Sequence, residues 1–269
     1  MVNIFNIKIE MYKKIIVKFI KYIDRLIHDN FRFLNSERKD NFNKNYEWIY
    51  KYIDKEEADL STKTFIEVGS RDCLDSLDIL SRYNFMKGYV FEPSYAGIKE
   101  SIKNQEENIN LSKRLLFFPF ALGDKDGKSN FYEYIQISKN HTKPNIGAST
   151  LYGDVDSEPF LEYEVPIFKL DSLSIDFANN YLVIMDAEDS EYSILKGAVN
   201  TLKNNKYVCL ETKYDTQVGN CLDINKLLEK YNYNLIDCDW PNTENGHLPK
   251  LEEVKNSKFC LLFENKSYK

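Results

Sequence analysis

Thr64-Phe65-Ile66-Glu67-Val68-Gly69-Ser70-Arg71-Asp72 is a short apolar run that ends in an acid and then a glycine. The pattern predicts a buried strand over Thr64–Val68, a tight turn, and a helix near Asp75–Tyr83. A nearly continuous apolar run bounded by a helical pattern suits a strand covered on both faces. Gly69 lets the backbone approach a neighbour or a ligand closely, because no Cβ stands in the way.

The same unit recurs downstream. Gly88–Phe91, Leu115–Phe118, Tyr181–Met185 and Tyr207–Leu210 read as further buried strands. Helical patterns lie near Tyr95–Asn104, Ser190–Asn204 and Asp223–Lys230. Such alternation predicts a Rossmann-like α/β fold, with a mostly parallel sheet and helices on both faces. Leu235–Cys238 and Phe259–Phe263 are expected to add two last strands as a hairpin. The rhythm breaks between Phe120 and Asp171. There, strand-like Ser129–Ile135 and Tyr163–Phe168 bracket a polar stretch, Gln136–Glu158. A long irregular segment in an α/β domain reads as an insertion near the mouth of a site.

Residues 1–60 read as a helical extension to a domain spanning 61–269. Ile15, Ile16, Phe19, Ile20, Ile23, Leu26 and Ile27 form an amphipathic stripe, and a second helix is expected over Tyr46–Ile53, with Trp48, Ile49 and Tyr52 on one side. Residues 1–35 hold seven Lys/Arg against three Asp/Glu. A basic amphipathic helix can make peripheral contact with an anionic membrane. The stripe equally suits packing on the main domain or on a second subunit of a homo-oligomer, and packing is the preferred reading.

Bulk properties narrow the class. Of 269 residues, 43% are hydrophobic, enough for a substantial core. The 36 Lys+Arg and 42 Asp+Glu give a net charge of −6, which argues against broad nucleic-acid binding. None of the five cysteines forms a CxxC pair, so zinc-ribbon spacing is absent and buried thiols in a reducing compartment are expected. No stretch reaches the ~18 apolar residues of a membrane span. The apolar residues from Ile4 to Phe33 are broken by Lys8, Lys13, Lys14, Lys18, Lys21 and Arg25, unlike a signal peptide. Cytoplasmic residence is the resulting expectation.

The chemistry sits at strand ends. Ligands of open α/β sheets bind outside the carboxyl ends of the strands. Glu67, followed by Gly69 and Ser70, can meet the cationic end of a cofactor. Glu92, followed by Pro93 and Ser94, lies 25 residues on, at the next strand end. That is the spacing at which a nucleoside-binding sheet presents a carboxylate to ribose hydroxyls. Phe118-Pro119-Phe120-Ala121-Leu122-Gly123-Asp124 places Ala121 and Leu122 where they can flank an adenine ring. Asp186 and Glu188, two apart at a fourth strand end, are expected to share a side. Asp189 or Ser190 can cap the helix that follows. Clustered carboxylates here suit proton abstraction or binding of a divalent metal. An isolated acidic run would sooner cap a helix N-terminus, but this one falls at the same edge as Glu67 and Glu92, which favours a functional role. His141 and Ser149, in the polar stretch, are further candidates for catalysis and for substrate contact respectively.

The motifs Phe65-Ile66-Glu67-Val68-Gly69, Phe91-Glu92-Pro93, Ala121-Leu122-Gly123, Gly147-Ala148-Ser149 and Leu170-Asp171-Ser172-Leu173 precede a longer block. That block is Met185-Asp186-Ala187-Glu188-Asp189-Ser190-Glu191, continuing to Leu195-Lys196-Gly197-Ala198. In this order and spacing the chain resembles the FkbM methyltransferases over roughly residues 64–212. The resemblance implies a seven-stranded methyltransferase sheet, S-adenosylmethionine as methyl donor, and O-methylation of a sugar, glycan or other small-molecule hydroxyl. Glu67, Gly69, Ser70, Glu92, Pro93, Ser94, Ala121, Leu122 and Asp186 are then the expected cofactor contacts. Asp186, Glu188 and His141 are the catalytic candidates, and Ser149 and Glu188 the acceptor contacts. Asp186 and Glu188 are the ligands if a metal is used.

Two departures stand out. The family usually has Asp and then Val-Gly-Ala-Asn at the first loop, where this chain has Glu67 and Ser70-Arg71-Asp72-Cys73. In the long block Met185 precedes Asp186 without the family's nearby Lys, and Asp189 replaces a Gly. The departures imply either altered metal or acceptor preference or weakened activity, so a methyltransferase-like binding subunit is the alternative. A nicotinamide oxidoreductase would want GxGxxG after the first strand. No glycine follows Gly69 through Leu80.

Overall fold

A computed structural model of the protein describes residues 45–56, 58–134, 149–151, 160–214, 219–240, 247–249, 254 and 257–268. The expected N-terminal amphipathic helix, His141, and most of the Gln136–Glu158 stretch lie outside the described residues. The chain divides into two compact units, 1–41 and 42–269, and every described residue belongs to the second.

Seven strands build the main sheet. They are β1 (Thr64–Val68), β2 (Lys87–Phe91), β3 (Leu115–Phe118), β7 (Asn180–Met185), β8 (Tyr207–Thr212), β9 (Tyr233–Cys238) and β10 (Phe259–Asn265). Their order across the sheet is β3-β2-β1-β7-β8-β10-β9. The pairs β1/β2, β2/β3, β1/β7 and β7/β8 are parallel. β10 runs antiparallel to both β8 and β9. The sheet is therefore mixed, and the expected final hairpin is present with β10 inserted between β8 and β9. A second sheet joins β4 (Ala121–Leu122), β5 (Gly127–Tyr134) and β6 (Phe160–Phe168) in the order β4-β6-β5. It organises the interval in which the main rhythm breaks.

Strand alternation sends side chains into two cores. Ile66, Val68, Phe91, Val183, Met185 and Leu210 fill one face. Phe65, Val90, Leu182, Ile184 and Cys209 fill the other. Each such side chain contributes about 1.5–3 kcal/mol on burial. The helix α1 (Glu47–Lys55) packs on the second core through Ile49, Tyr50 and Ile53. The expected stripe of Trp48, Ile49 and Tyr52 is thus rotated, with Trp48 and Tyr52 only partly buried. The cause is polar. Tyr50 Oη donates to Asp78 at 2.7 Å, and Tyr52 Oη donates to Asp237 at 2.9 Å.

The helices α2 (Leu74–Arg82), α3 (Tyr95–Glu107), α4 (Ile109–Ser112) and α7 (Cys221–Glu229) fall close to the expected segments or beside them. The expected single helix over Ser190–Asn204 is instead two, α5 (Glu191–Lys196) and α6 (Val199–Leu202). At Gly197, between them, an added Cβ would stand 1.9 Å from the Gly123 carbonyl oxygen, so only glycine permits this crossing. Asp171 then supplies the cap for α6. Its carboxylate accepts from the backbone N–H of Asn200 and Thr201 at 2.8 and 2.9 Å, and from the Thr201 hydroxyl. All five cysteines are free thiols, Cys260 half-buried and the others buried. Among the described residues, no helix is long and apolar enough to cross a membrane.

Candidate functional site

From β1 the sheet winds outward through β2 to β3, then reverses to β7 and β8 on the other side. A crevice opens at the carboxyl ends of the strands flanking such a switch. Here the ends of β1 and β7 are drawn together. Asp186 N donates to Val68 O at 2.9 Å, and Gly69 N donates to Phe91 O at 2.9 Å. Gly69 has φ +78°, and a Cβ on it would lie 1.9 Å from the Asp186 carbonyl oxygen.

The resulting cleft encloses about 490 Å³, counting its open mouth. Its charged lining comprises Arg71, Glu92, Asp186 and Glu188. Gly69, Pro93, Ala121, Leu122 and Ser149 also line it, with an apolar wall that includes Phe91, Phe120, Phe131 and Ile194. The structure therefore brings most of the expected site residues together. Glu67, Ser70 and Ser94 are not among the lining residues.

Glu67 faces the opposite core. Its carboxylate accepts from the Ser76 hydroxyl in α2. Burial pushes its carboxyl well up, and the neighbouring Asp75 adds to this. Ser94 is occupied as the N-cap of α3, where its Oγ accepts from Gly97 N at 3.0 Å. Ser70 is buried beside the turn, and its Oγ has no hydrogen-bond partner among the described residues.

Glu92 is held from behind. Its two carboxylate oxygens accept from Arg71 N at 2.7 Å and from Ser94 N at 2.8 Å. Each carboxylate oxygen has two lone pairs. Burial pushes the Glu92 carboxyl up to about 7, against the pull of the Ser94 N–H and hydroxyl and of the Arg71 N–H. The β1–α2 turn is tied down by α3. Ser101 Oγ donates to Arg71 O at 3.4 Å, and Asn104 Nδ2 donates to Asp72 O at 2.8 Å. α3 is in turn anchored to the small sheet. Tyr95 N donates to the Tyr163 hydroxyl at 3.0 Å, and Ala96 N donates to Glu133 at 2.7 Å.

Asp186 and Glu188 do meet, but not by strand alternation. The strand ends at Met185, and Glu188 and Asp189 take left-handed φ values of +46° and +73°. The turn brings a carboxylate oxygen of Asp186, of Glu188 and of Glu211 within 4.8 Å of one another. Lys258 supplies a cation to this cluster, its Nζ 2.6 Å from Glu188 and 2.8 Å from Glu211. Burial, then Glu211 and Glu188, push the Asp186 carboxyl up to about 8, while Lys258 and Arg71 pull it back. Burial also raises Glu188, opposed mainly by Lys258. Asp186 Oδ1 is buried without a hydrogen-bond partner among the described residues.

Neither expected cap of α5 forms. Asp189 pairs with Lys213 at 2.7 Å, and Ser190 at the N-cap makes no side-chain cap bond. Glu191 holds the turn instead, accepting from Ala187 N at 2.6 Å. The φ of +73° at position 189 explains why glycine suits it. Asp tolerates this region better than most residues, and Lys213 compensates its charge. The 149–151 segment covers the cluster from the side of the small sheet. Thr150 bridges to Tyr132, and its hydroxyl donates to Glu188 O at 2.7 Å. Ser149 Oγ accepts from Tyr134 N at 3.1 Å.

Sequence reading missed Arg71, Glu211 and Lys258. Glu211 was findable, being an acid at the end of a strand adjacent to β7. Lys258 enters only through the antiparallel return of β10, and no local pattern announces it.

The FkbM methyltransferase domain model matches residues 67–235. No curated protein matches the chain significantly. Among solved structures, methyltransferase FkbM from Methylobacillus flagellatus has 15% identity and a TM-score of 0.46. The match covers 76% of this chain and 44% of that one, so this chain spans less than half of that relative's length. Magnesium protoporphyrin IX methyltransferase from Synechocystis, solved with S-adenosylhomocysteine, has 9% identity and a TM-score of 0.44, covering 91% of this chain and 97% of that one. TrmK from M. capricolum, also solved with S-adenosylhomocysteine, has 8% identity and a TM-score of 0.41, covering 77% and 63%.

Proposed function

The chain belongs to the FkbM methyltransferase family, and from that premise we propose that it is an S-adenosylmethionine-dependent O-methyltransferase acting on a hydroxyl of a sugar, glycan or related small molecule. One observation carries this reading. Glu92 and Asp186 line a single cleft at the switch in strand order, and Asp186 presents a buried carboxylate oxygen with no partner among the described residues.

The residues fit the cofactor. Glu92 offers its remaining lone pairs to the ribose diol, and Ala121 and Leu122, with Phe120, flank the adenine. Gly69 allows close approach of the backbone. Asp186 meets the cationic end. When bound, S-adenosylmethionine supplies an electrophilic methyl group, whose S–C bond breaks as the new O–C bond forms. The chain must then align the acceptor and remove one proton. Positioning lowers such a barrier by up to about 7–11 kcal/mol. We assign the proton to Glu188, which burial tunes upward from the ordinary carboxylate range toward the working pH of a base. Lys258 orients it, and Ser149 lies beside it to contact the acceptor. Lys258 takes the position of cation in the acidic cluster, so the reading requires no metal.

The test pairs titration calorimetry, using S-adenosylhomocysteine, with methyl transfer to a panel of glycan and small-molecule hydroxyls. Glu188→Gln is expected to keep cofactor affinity and lose about 10²–10⁴-fold in turnover. Asp186→Asn is expected to lose cofactor affinity. Full turnover in the first variant would remove Glu188 from the chemistry. Cofactor binding with no transfer to any acceptor would favour a binding subunit.

A further inference from the structure

Among the described residues lining the cleft, Arg71 is the single cation and the other charged groups are acids. Its backbone is already committed. The N–H donates to Glu92 and the carbonyl accepts from Ser101. Its φ is +55°, a region that costs a non-glycine residue energy and is kept where the surroundings dictate it. The guanidinium makes no hydrogen bond among the described residues. Among the described residues the one carboxylate within 4.0 Å is that of Asp72, whose oxygen lies 3.9 Å from Nε, beyond hydrogen-bond reach. The side chain is 35% exposed. Its five N–H donors thus make no hydrogen bond to a carboxylate, their strongest class of partner, among the described residues.

Asp186, whose Oδ1 has no hydrogen-bond partner among the described residues, lines the same cleft. The two side chains are close enough that Arg71 draws down the Asp186 carboxyl. Gly69 lines the cleft beside the Asp186 backbone and adds no side chain there. A positive fork and an unpaired carboxylate at one end of a cleft complement a zwitterion, one carboxylate and one ammonium on a single carbon. Glu92 lies in the same cleft, at the next strand end.

We propose that Arg71 binds the α-carboxylate of the cofactor's amino-acid end, with Asp186 opposite it on the α-ammonium, so that the pair recognises an α-amino acid attached to a nucleoside. This rests on the cofactor reading, which supplies the nucleoside. Arg71 also faces the buried acids Glu67 and Asp75, whose carboxyls it draws down. A structural role there is the competing account, and the experiment separates the two.

Wild type, Arg71→Ala and Arg71→Lys are titrated with three ligands. These are S-adenosylhomocysteine, its decarboxylated analogue, and 5′-methylthioadenosine, which lacks the amino acid. Arg71→Ala is expected to weaken S-adenosylhomocysteine about 10–100-fold, the loss of one bidentate charge-assisted contact. Its affinities for the decarboxylated analogue and for methylthioadenosine are expected to stay within about 3-fold of wild type. Arg71→Lys, which keeps the charge and loses the fork, should fall between. Equal weakening of all three ligands would assign Arg71 to the fold and overturn the proposal. Unchanged S-adenosylhomocysteine affinity would also overturn it, and would leave the guanidinium for an anionic acceptor. If wild type binds none of the three, the cofactor reading itself fails, and this proposal fails with it.

Discussion

Consider Glu92→Gln, a change of one atom at a residue that is 5% exposed. The wild-type carboxylate accepts from both Arg71 N and Ser94 N. An amide has one oxygen, so one of those N–H groups must face an NH₂. Leaving a buried donor unmet costs about 1–3 kcal/mol. An opposing effect nearly offsets it. The Glu92 carboxyl is pushed from 4.5 to about 7 in the fold. The folded chain therefore holds a proton that the unfolded chain sheds at lower pH. As pH rises from about 4.5 to about 7, stability is lost, amounting to about 3 kcal/mol once both states are ionised. The amide is free of that penalty. At pH 8 the variant should melt within a few degrees of wild type, and at pH 4.5 it should be the less stable of the two. Ligand affinity behaves differently. The ribose loses an ionised bidentate acceptor, and each charge-assisted bond contributes about 1.5–3 kcal/mol. S-adenosylhomocysteine and methylthioadenosine should both weaken by at least about 10-fold at pH 8. Wild-type affinity should rise as pH climbs through about 7, and this rise should vanish in the variant. Calorimetry at several pH values, beside thermal melts, measures both quantities. Affinity within about 2-fold of wild type at pH 8 would refute the ribose assignment.

Gly69→Ala sets a Cβ 1.9 Å from a backbone oxygen at φ +78°, so a loss of about 3–5 kcal/mol and a melting point about 10 °C lower are expected. Lys258→Met removes the cation between Glu188 and Glu211, while Lys258→Arg retains it. Since the side chain is 42% exposed, only about 1 kcal/mol of stability should go. The clearer signature is the acidic limb of the pH–rate profile, which should move to higher pH as Glu188 and Asp186 lose their counter-charge. An unmoved limb would separate Lys258 from the base. Asp171→Ala strips three hydrogen bonds from the start of α6 and should cost about 1–2 kcal/mol by chemical denaturation, with cofactor affinity unchanged.

The strands and most helices were legible because they are local. Runs such as Thr64–Val68 and Tyr181–Met185 are apolar almost throughout, which is what a strand with two covered faces requires. Glycines marked both the strand-end turn at Gly69 and the break at Gly197. The break was misread as continuous helix, because its cause is a carbonyl 74 positions upstream, at Gly123. The strand-end acids were equally visible, and Glu92 and Asp186 reach the cleft. Glu67 does not. On β1 its side chain alternates with Ile66 and Val68, which puts it on the far face under α2. Being at the end of a strand fixes the edge of the sheet and leaves the face to be decided.

The sequence alone determined the family, the parallel core and the strand ends where ligands meet the sheet, because periodicity and turn residues act over a few positions. Only the tertiary structure decided which acids share the cleft and which cation stands among them. Lys258 reaches Glu188 across 70 positions, and Thr150 reaches it across 38. Such juxtapositions come from strand order and antiparallel return, and no spacing along the chain encodes them.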